Sequence, residues 1–177
     1  GIYNVPDRMA GVFRYGGKAV AVFEFRSEAL EYDRSDLYTQ KRILAGAFAG
    51  YRSWRIPELI DAACADPALY FASASQIHLQ SWHRGRVVLV GDAGYCPAFL
   101  SGRGTSLALT GARFLAEELD RGGHHTAAFA RYEARQRPYV TVAQDSVYSG
   151  RDRILPRTWE EISARNRSLR NFGDKTS

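Results

Sequence analysis

Apolar and polar positions alternate near the start of the chain, take on a helical spacing, and then alternate again. Gly11 to Tyr15 runs into Gly16-Gly17, a two-residue turn of the hairpin kind, and residues 18–26 continue the alternation. Ala19, Ala21, Phe23 and Phe25 share one face; Val20, Val22, Glu24 and Arg26 share the other. One apolar face and one that ends charged predict an antiparallel pair solvated on one side. Residues 36–50 carry the helical spacing. Leu37, Leu44 and Phe48, flanked by Ile43 and Ala47, form its stripe, with a capping region at Asp33-Arg34-Ser35 and a stop at Gly50. A shorter helix follows Pro57 and ends near Asp66-Pro67. Residues 69–80 alternate once more and predict a long strand. Its second face (Tyr70, Ala72, Ala74, Gln76, His78, Gln80) is either a pocket wall or plain surface.

The pattern changes near Trp82, which marks the expected domain border. Trp82-His83-Arg84-Gly85 reads as a turn, and residues 87–90 are apolar on both faces, as in a strand covered on both sides. A Gly- and Pro-punctuated loop follows, then a helix to about Arg121 and a second helix from about Thr126. In the first helix Leu107, Gly111, Leu115 and Leu119 form one stripe, with a row of Ala108, Ala112 and Ala116 beside it. Gly91 and Asp92 stand at the carboxyl end of the expected strand, where ligands sit in open α/β sheets. The carboxylate of Asp92 can accept hydrogen bonds from ligand hydroxyls, or it caps a turn. Gly102 and Gly104 leave the N-terminus of the following helix open, so that its free N–H groups can face an anionic or carbonyl-rich ligand.

Composition narrows the class without naming a chemistry. The chain has 177 residues, 45% hydrophobic and 24% charged, which fits a soluble globular protein and excludes disorder, collagen-like repeats and a disulfide scaffold. No apolar run approaches the roughly 18 residues of a membrane span, and no signal-peptide pattern opens the sequence, so a cytoplasmic protein is expected. Cys64 and Cys96 read as free thiols. His78, His83, His124 and His125 have no metal-ligand spacing, and the last two read as loop. The net charge is +5, with seven Lys/Arg against four Asp/Glu in residues 151–177. Without aromatic interleaving, that tail reads as a solvated helix face rather than a nucleic-acid contact. No catalytic residue can be assigned, since no Ser/His/Asp arrangement is visible.

Residues 85–106, with Gly91-Asp92-Ala93-Gly94, Pro97 and Gly102-Arg103-Gly104, resemble the second flavin-contacting motif of the FAD-dependent aromatic hydroxylases, the group typified by para-hydroxybenzoate hydroxylase. Trp82 and Gly85-Arg86 match the usual lead-in, and Ala108-Leu109 and Gly111-Ala112 match the small-residue helix. Tyr132-Glu133-Ala134-Arg135-Gln136-Arg137-Pro138 is similar to the family's Tyr-Glu-x-x-Arg-Arg-Pro stretch. The resemblance is strongest over 82–138 and covers most of 12–140. It implies an α/β fold, the C-terminal part of a Rossmann-like FAD-binding domain joined to part of a mixed-sheet substrate domain. The implied division is 1–81 partial substrate domain, 82–150 partial FAD domain and 151–177 helical tail. It also implies cofactor contacts at Gly91, Asp92, Ala93, Pro97, Gly102, Arg103, Gly104, Thr105 and Ser106. Asp92 would bond the ribityl hydroxyls of FAD, and the backbone of 102–105 would face the flavin's pyrimidine edge. The implied activity is an NAD(P)H- and oxygen-dependent monooxygenation of an aromatic or polyketide-like small molecule. Hydroxylation, epoxidation and Baeyer–Villiger insertion stand equally open.

The departures carry expectations of their own. No Gly-x-Gly-x-x-Gly unit is present, because Gly102-Arg103-Gly104-Thr105-Ser106-Leu107 lacks the third glycine. The chain therefore reads as the C-terminal portion of a longer or split enzyme. Its expected partner is a dinucleotide-binding part; alone it should be inactive and prone to associate. The alternative is a non-catalytic remnant that acts as a binding module. Phe99 stands where a proline is common, and either stacks near the flavin and substrate or fills the core. Arg103, where Gln is frequent, either adds positive charge near reduced flavin or is simply exposed. Gly94 and Tyr95 replace Ala-His, and Cys96 reads as a small buried thiol rather than a point of flavin attachment.

Overall fold

The computed structural model describes residues 1–173, and the chain divides into two compact units. The first holds residues 1–72 together with those from 152 onward. It begins with an antiparallel meander of β1 (Ile2–Val5), β2 (Arg8–Tyr15) and β3 (Lys18–Phe25). Tyr15 pairs with Lys18 across Gly16 and Gly17, whose φ angles of 56° and 78° suit the positive-φ turn that matches strand twist. The hairpin stands where the alternation placed it; β1 is an addition the pattern did not announce. Helices α1 (Leu37–Ala47) and α2 (Ile56–Ala65) follow. The cap of α1 is Asp36, whose carboxylate accepts from the Thr39 N–H at 3.0 Å, one residue past the expected region. Pro57 occupies the first turn of α2.

Phe48 is the pivot of this unit's core. Phe23 and Phe25 meet it edge-on at 5.3 and 6.3 Å, and Ala10, Leu44 and Ile56 complete the cluster. The expected apolar face of β3 is therefore only half used. Phe23 and Phe25 pack, while Ala19 and Ala21 are exposed near the turn, as are Phe13, Tyr15 and Val20.

The second unit, Ser73–Arg151, departs further from the pattern. Residues 69–80 form no strand among the described residues. Alternation specifies an extended backbone, but a ladder also needs a neighbouring chain. Here side chains take the carbonyls instead: Gln144 donates to Ile77 at 2.9 Å, and Arg137 to Leu79 and Gln80 at 3.3 and 3.1 Å. The buried strand expected over 87–90 is likewise reduced. β4 (His83–Arg84) pairs with β5 (Val87–Val88) across Gly85, and Val87 is 65% exposed, because nothing among the described residues covers its outer side. Trp82, expected in a turn, is buried against Tyr95 with ring centroids 4.4 Å apart.

Next come α3 (Asp92–Tyr95), a 3-10 turn at Phe99–Ser101, α4 (Gly104–Asp120) and α5 (His125–Asp145). His124 caps α5 rather than lying in a loop, its ring nitrogen accepting from the Thr126 N–H. The buried row of α4 is Leu107, Gly111, Phe114 and Glu118, not the expected stripe ending in Leu119. Leu119, Ala112 and Ala116 are exposed. The buried face brings Leu107 and Phe114 into the core and Gly111 against Tyr95, and three arginines meet the Glu118 carboxylate that comes with them. Among the described residues no helix is long and apolar enough to cross a membrane.

α6 (Val147–Ile154) spans the division between the units, and α7 (Trp159–Gly173) belongs to the first. The region read as a solvated helix face is tied to the sheet. Asn4 donates to the Ile154 carbonyl at 2.8 Å, the Asp7 N–H to Pro156 at 2.9 Å, and Arg26 to Leu155 and to the Asp152 carboxylate. Leu155 and Ile162 are buried. Residues 174–177 of the expected tail lie outside the described residues.

Candidate functional site

The chain arrives from β5 and turns at Gly91 with φ 67° and ψ −142°, a conformation open to glycine. A Cβ at Gly91 would lie 3.2 Å from that of Ala108, so the turn crosses closely over α4. Asp92 then opens α3 with its side chain exposed. A Cβ on Gly104 would stand 3.8 Å from Asp92 Oδ1, which places the carboxylate beside the first residue of α4. That helix starts without a side-chain cap. Arg103 holds the cap position, and its own N–H bonds the Ser101 hydroxyl at 3.1 Å. Gly102, left-handed at φ 64°, makes the preceding turn. The structure therefore gathers Gly91, Asp92, Gly102 and Gly104 with the exposed first-turn residues Thr105 and Ser106. An acceptor carboxylate next to an uncapped, partly positive helix end suits a ligand with hydroxyls and a carbonyl-rich or anionic edge.

The remaining sequence-picked residues divide. Ala93 and Arg103 are exposed, and Pro97 is buried with its carbonyl accepting from Gln76 at 3.3 Å. Phe99 is 60% exposed and fills no core. Cys96 is half-buried, its Sγ 3.7 Å from the Ser75 carbonyl. Between Pro97 and Phe99 sits Ala98 at φ 64° and ψ 151°, a strained backbone for a residue with a Cβ. It turns the chain so that Pro97 faces inward and Phe99 outward. Nothing in the residue pattern signals this.

What holds the loop comes almost wholly from α5. The buried Tyr132 hydroxyl donates to the Leu89 carbonyl at 3.1 Å and meets the Tyr95 hydroxyl at 3.2 Å. Burial pushes the Tyr132 phenol far above its ordinary range, so it stays protonated. Gln136, fully buried, donates to the Leu107 carbonyl at 2.9 Å and ties down the first turn of α4. Glu133 accepts from the Trp82 N–H at 2.9 Å and pairs with Arg137. Burial works to raise the Glu133 pKa, but the Trp82 N–H, Arg137 and the Ser81 hydroxyl outweigh it and hold the carboxyl low. Two glycines allow close approach from either side. A Cβ on Gly111 would lie 2.0 Å from the Tyr95 hydroxyl oxygen, and one on Gly150 would lie 2.2 Å from the Leu100 carbonyl oxygen. At the far end of α4, the wholly buried Glu118 carboxylate is met by Arg131 and Arg135 at 2.7 Å and Arg121 at 2.9 Å. Hydrogen bonds from Arg131 and Arg135 hold its pKa below the usual carboxylate range. Arg135 reaches it across the face of Phe114. The sequence signals for this hub are Arg131 and Arg135, four residues apart on one helix face, and the pair Glu118 and Arg121, three apart on the other helix.

Comparison with known proteins places this constellation. A flavin-dependent monooxygenase of Legionella longbeachae serogroup 1 is 41% identical over 127 residues, covering 71% of this chain and 32% of the relative. The crystal structure of tetracycline destructase Tet(55) superposes with a TM-score of 0.82 at 34% identity, over 96% of this chain and 46% of that one. The chain is similar to the C-terminal portion of flavin-dependent monooxygenases. It spans about a third of the length of the curated relatives it matches. An FAD-dependent monooxygenase of Sarocladium schorii is 48% identical over 77 residues, or 43% of this chain and 18% of that protein. No protein-family model matches the chain. The Tyr132 to Pro138 stretch has a physical reason for its residue types: Tyr132, Glu133, Gln136 and Arg137 each hold a backbone group of the loop system.

Proposed function

We propose that this chain forms the isoalloxazine side of an FAD-dependent monooxygenase. The observation that carries the reading is the exposed Asp92 carboxylate beside the uncapped first turn of α4, with no Cβ at Gly104 to fill the space between them. That donor set fits FAD. Asp92 accepts from the ribityl hydroxyls, and Gly91 and Ala93 let the chain pass close by. The N–H groups of Gly104, Thr105 and Ser106 point toward the pyrimidine edge, and Gly102 and Pro97 shape the turns around it. A helix N-terminus there favours the negative charge that reduction brings. Arg103, exposed at the cap, adds positive charge on the same side. When bound, FAD supplies the redox and oxygen chemistry, with NAD(P)H as electron donor; the protein binds, orients and shields.

Phe99 faces the substrate. A small, ring-bearing molecule fits this reading, and the tetracycline destructase likeness supports a fused-ring, polyketide-like one. The adenine and diphosphate end of FAD requires a dinucleotide-binding part, in the same or a separate chain, since no Gly-x-Gly-x-x-Gly stands in these residues. In this reading residues 1–81 contribute to substrate binding, 82–150 to flavin binding, and 151–177 form the closing tail, all in a cytoplasmic enzyme. By itself the chain holds part of a site and is inactive.

The test is Asp92→Ala in the FAD-loaded holoenzyme, with flavin content and affinity read by absorbance and fluorescence. Loss of one charge-assisted acceptor should weaken FAD binding by about tenfold to a hundredfold. Unchanged FAD affinity would sink the assignment.

A further inference from the structure

Tyr132 has a place in the loop system that flavin contact alone does not account for. Its hydroxyl sits on α5 and reaches two points of one segment, the Leu89 carbonyl at 3.1 Å and the Tyr95 hydroxyl at 3.2 Å. Leu89 lies two residues before Gly91, and Tyr95 closes the short helix that Asp92 opens. One phenol therefore bridges both ends of the turn that presents Asp92. The backbone N–H groups at those two ends are already engaged within the segment, Leu89 with Trp82 and Tyr95 with Gly91. The Tyr95 hydroxyl also lies directly against Gly111 of α4, where even a methyl group would have no room. The same pair of hydroxyls thus fixes the turn against the helix whose first residue stands beside the Asp92 carboxylate.

We propose that Tyr132 is a positioning residue for cofactor capture: through Leu89 and Tyr95 it holds the Asp92 carboxylate over the first turn of α4. The proposal rests on the reading of Asp92 as a contact to FAD. It makes a demand that simple core packing does not. Tyr132 should matter to FAD only while Asp92 is there to be positioned.

A double-mutant cycle in the FAD-loaded holoenzyme tests this, with FAD dissociation constants from quenching of flavin fluorescence and unfolding midpoints recorded alongside. Tyr132→Phe keeps the ring and removes the hydroxyl, and should weaken FAD binding by about threefold to tenfold. In an Asp92→Ala background the same change should add nothing, because the two residues act as one unit. An equal loss in both backgrounds is the signature of a purely structural role and would overturn the proposal. So would a Tyr132→Phe variant with unaltered affinity beside an Asp92→Ala variant that binds FAD poorly. If Asp92→Ala itself binds FAD normally, the flavin reading fails first and the positioning role with it. Tyr95→Phe severs one of the two links while leaving Tyr132 in place. It should give a smaller loss that also vanishes without Asp92, and it carries the test should Tyr132→Phe fold poorly.

Discussion

The two compact units of this chain are held together by different means. At the centre of the first unit, Phe48, Leu44, Ile56 and Ala10 pack with Phe23 and Phe25; its buried polar side chains, Asn4 and Gln40, donate to the carbonyls of Ile154 and Arg34. In the second unit the buried set includes Tyr95, Tyr132, Gln136 and Glu118, each with a hydrogen-bonding job. The contrast follows from what each must hold. Helices and strands satisfy most of their own backbones, so in the first unit apolar faces meet at the centre and polar ties gather at the irregular stretches, as where Asn4 and Arg26 hold the carbonyls of Ile154 and Leu155. The second must hold a winding segment, 76–104, that has little regular structure, so side chains of α5 reach in to satisfy its carbonyls. Polar hooks fix geometry more tightly than apolar contact, and the candidate site lies in the unit that uses them.

The sharpest way to separate the two regimes is to empty the apolar one. Phe48→Ala should destabilise the first unit by about 3–5 kcal/mol in urea unfolding. Hydrogen exchange should show the loss in α1, α2 and the meander and leave α4 and α5 protected. Equal loss in both units would break the contrast.

Removing the charge hub comes next. Glu118→Ala removes the carboxylate that three partly exposed arginines share, and because those arginines keep their access to water the unfolding midpoint should fall by only about 5 °C. Acid makes the same point without mutation. The folded pKa of Glu118 is held below its ordinary 4.5, so its stabilisation is complete above that value and fades as pH drops through the lower folded one. Exchange protection in α4 and α5 should thus be lost on acidification before that of the Phe48 cluster. Protection that survives acid equally in both units would deny the hub its role.

Gly111→Ala is a finer probe. Its methyl must displace the buried Tyr95 hydroxyl, at a cost of about 1–3 kcal/mol, and FAD affinity should fall with it. A variant as stable as the parent would mean that Tyr95 has room to move and that the loop is less tightly set. The smallest change expected is a gain. Ala98→Gly relieves the positive φ, and should stabilise the second unit by about 1 kcal/mol in urea unfolding. A loss of stability there would show that the strain is not borne by Ala98.

Regular elements were the most legible part of the fold. The Gly16-Gly17 hairpin, α1, α2, α4 and α5 all announce themselves by period and punctuation, because those signals are local. The two alternating or apolar segments misled for a common reason. Over 69–80 and 87–90 the pattern specifies extension or apolarity, yet pairing depends on a neighbour that no local pattern reveals. For the candidate site, the spacing of Gly91, Asp92, Gly102 and Gly104 was readable, and so was an open helix end beyond them. The cap at His124, the inward turn of Glu118 and the strain at Ala98 were not. Glu118 is decided by partners far along the chain and Ala98 by a single backbone angle, whereas the His124 cap is local, a bond to the Thr126 N–H from a residue type outside the usual capping set.

The sequence by itself determined α1, α2, α4 and α5, where the first hairpin turns, and that an acidic residue and two glycines flank one helix start. Those follow from propensities and periodicities of a few adjacent residues. That this helix start faces Asp92 was also expected from sequence; only the tertiary structure decided that Tyr132, Gln136 and Glu133 hold the loop that puts Asp92 beside Gly104. It also decided that Glu118 is buried while Leu119 is exposed. A buried polar side chain is stable only where its partners converge, and that convergence is a property of the packed helices rather than of any short run of residues.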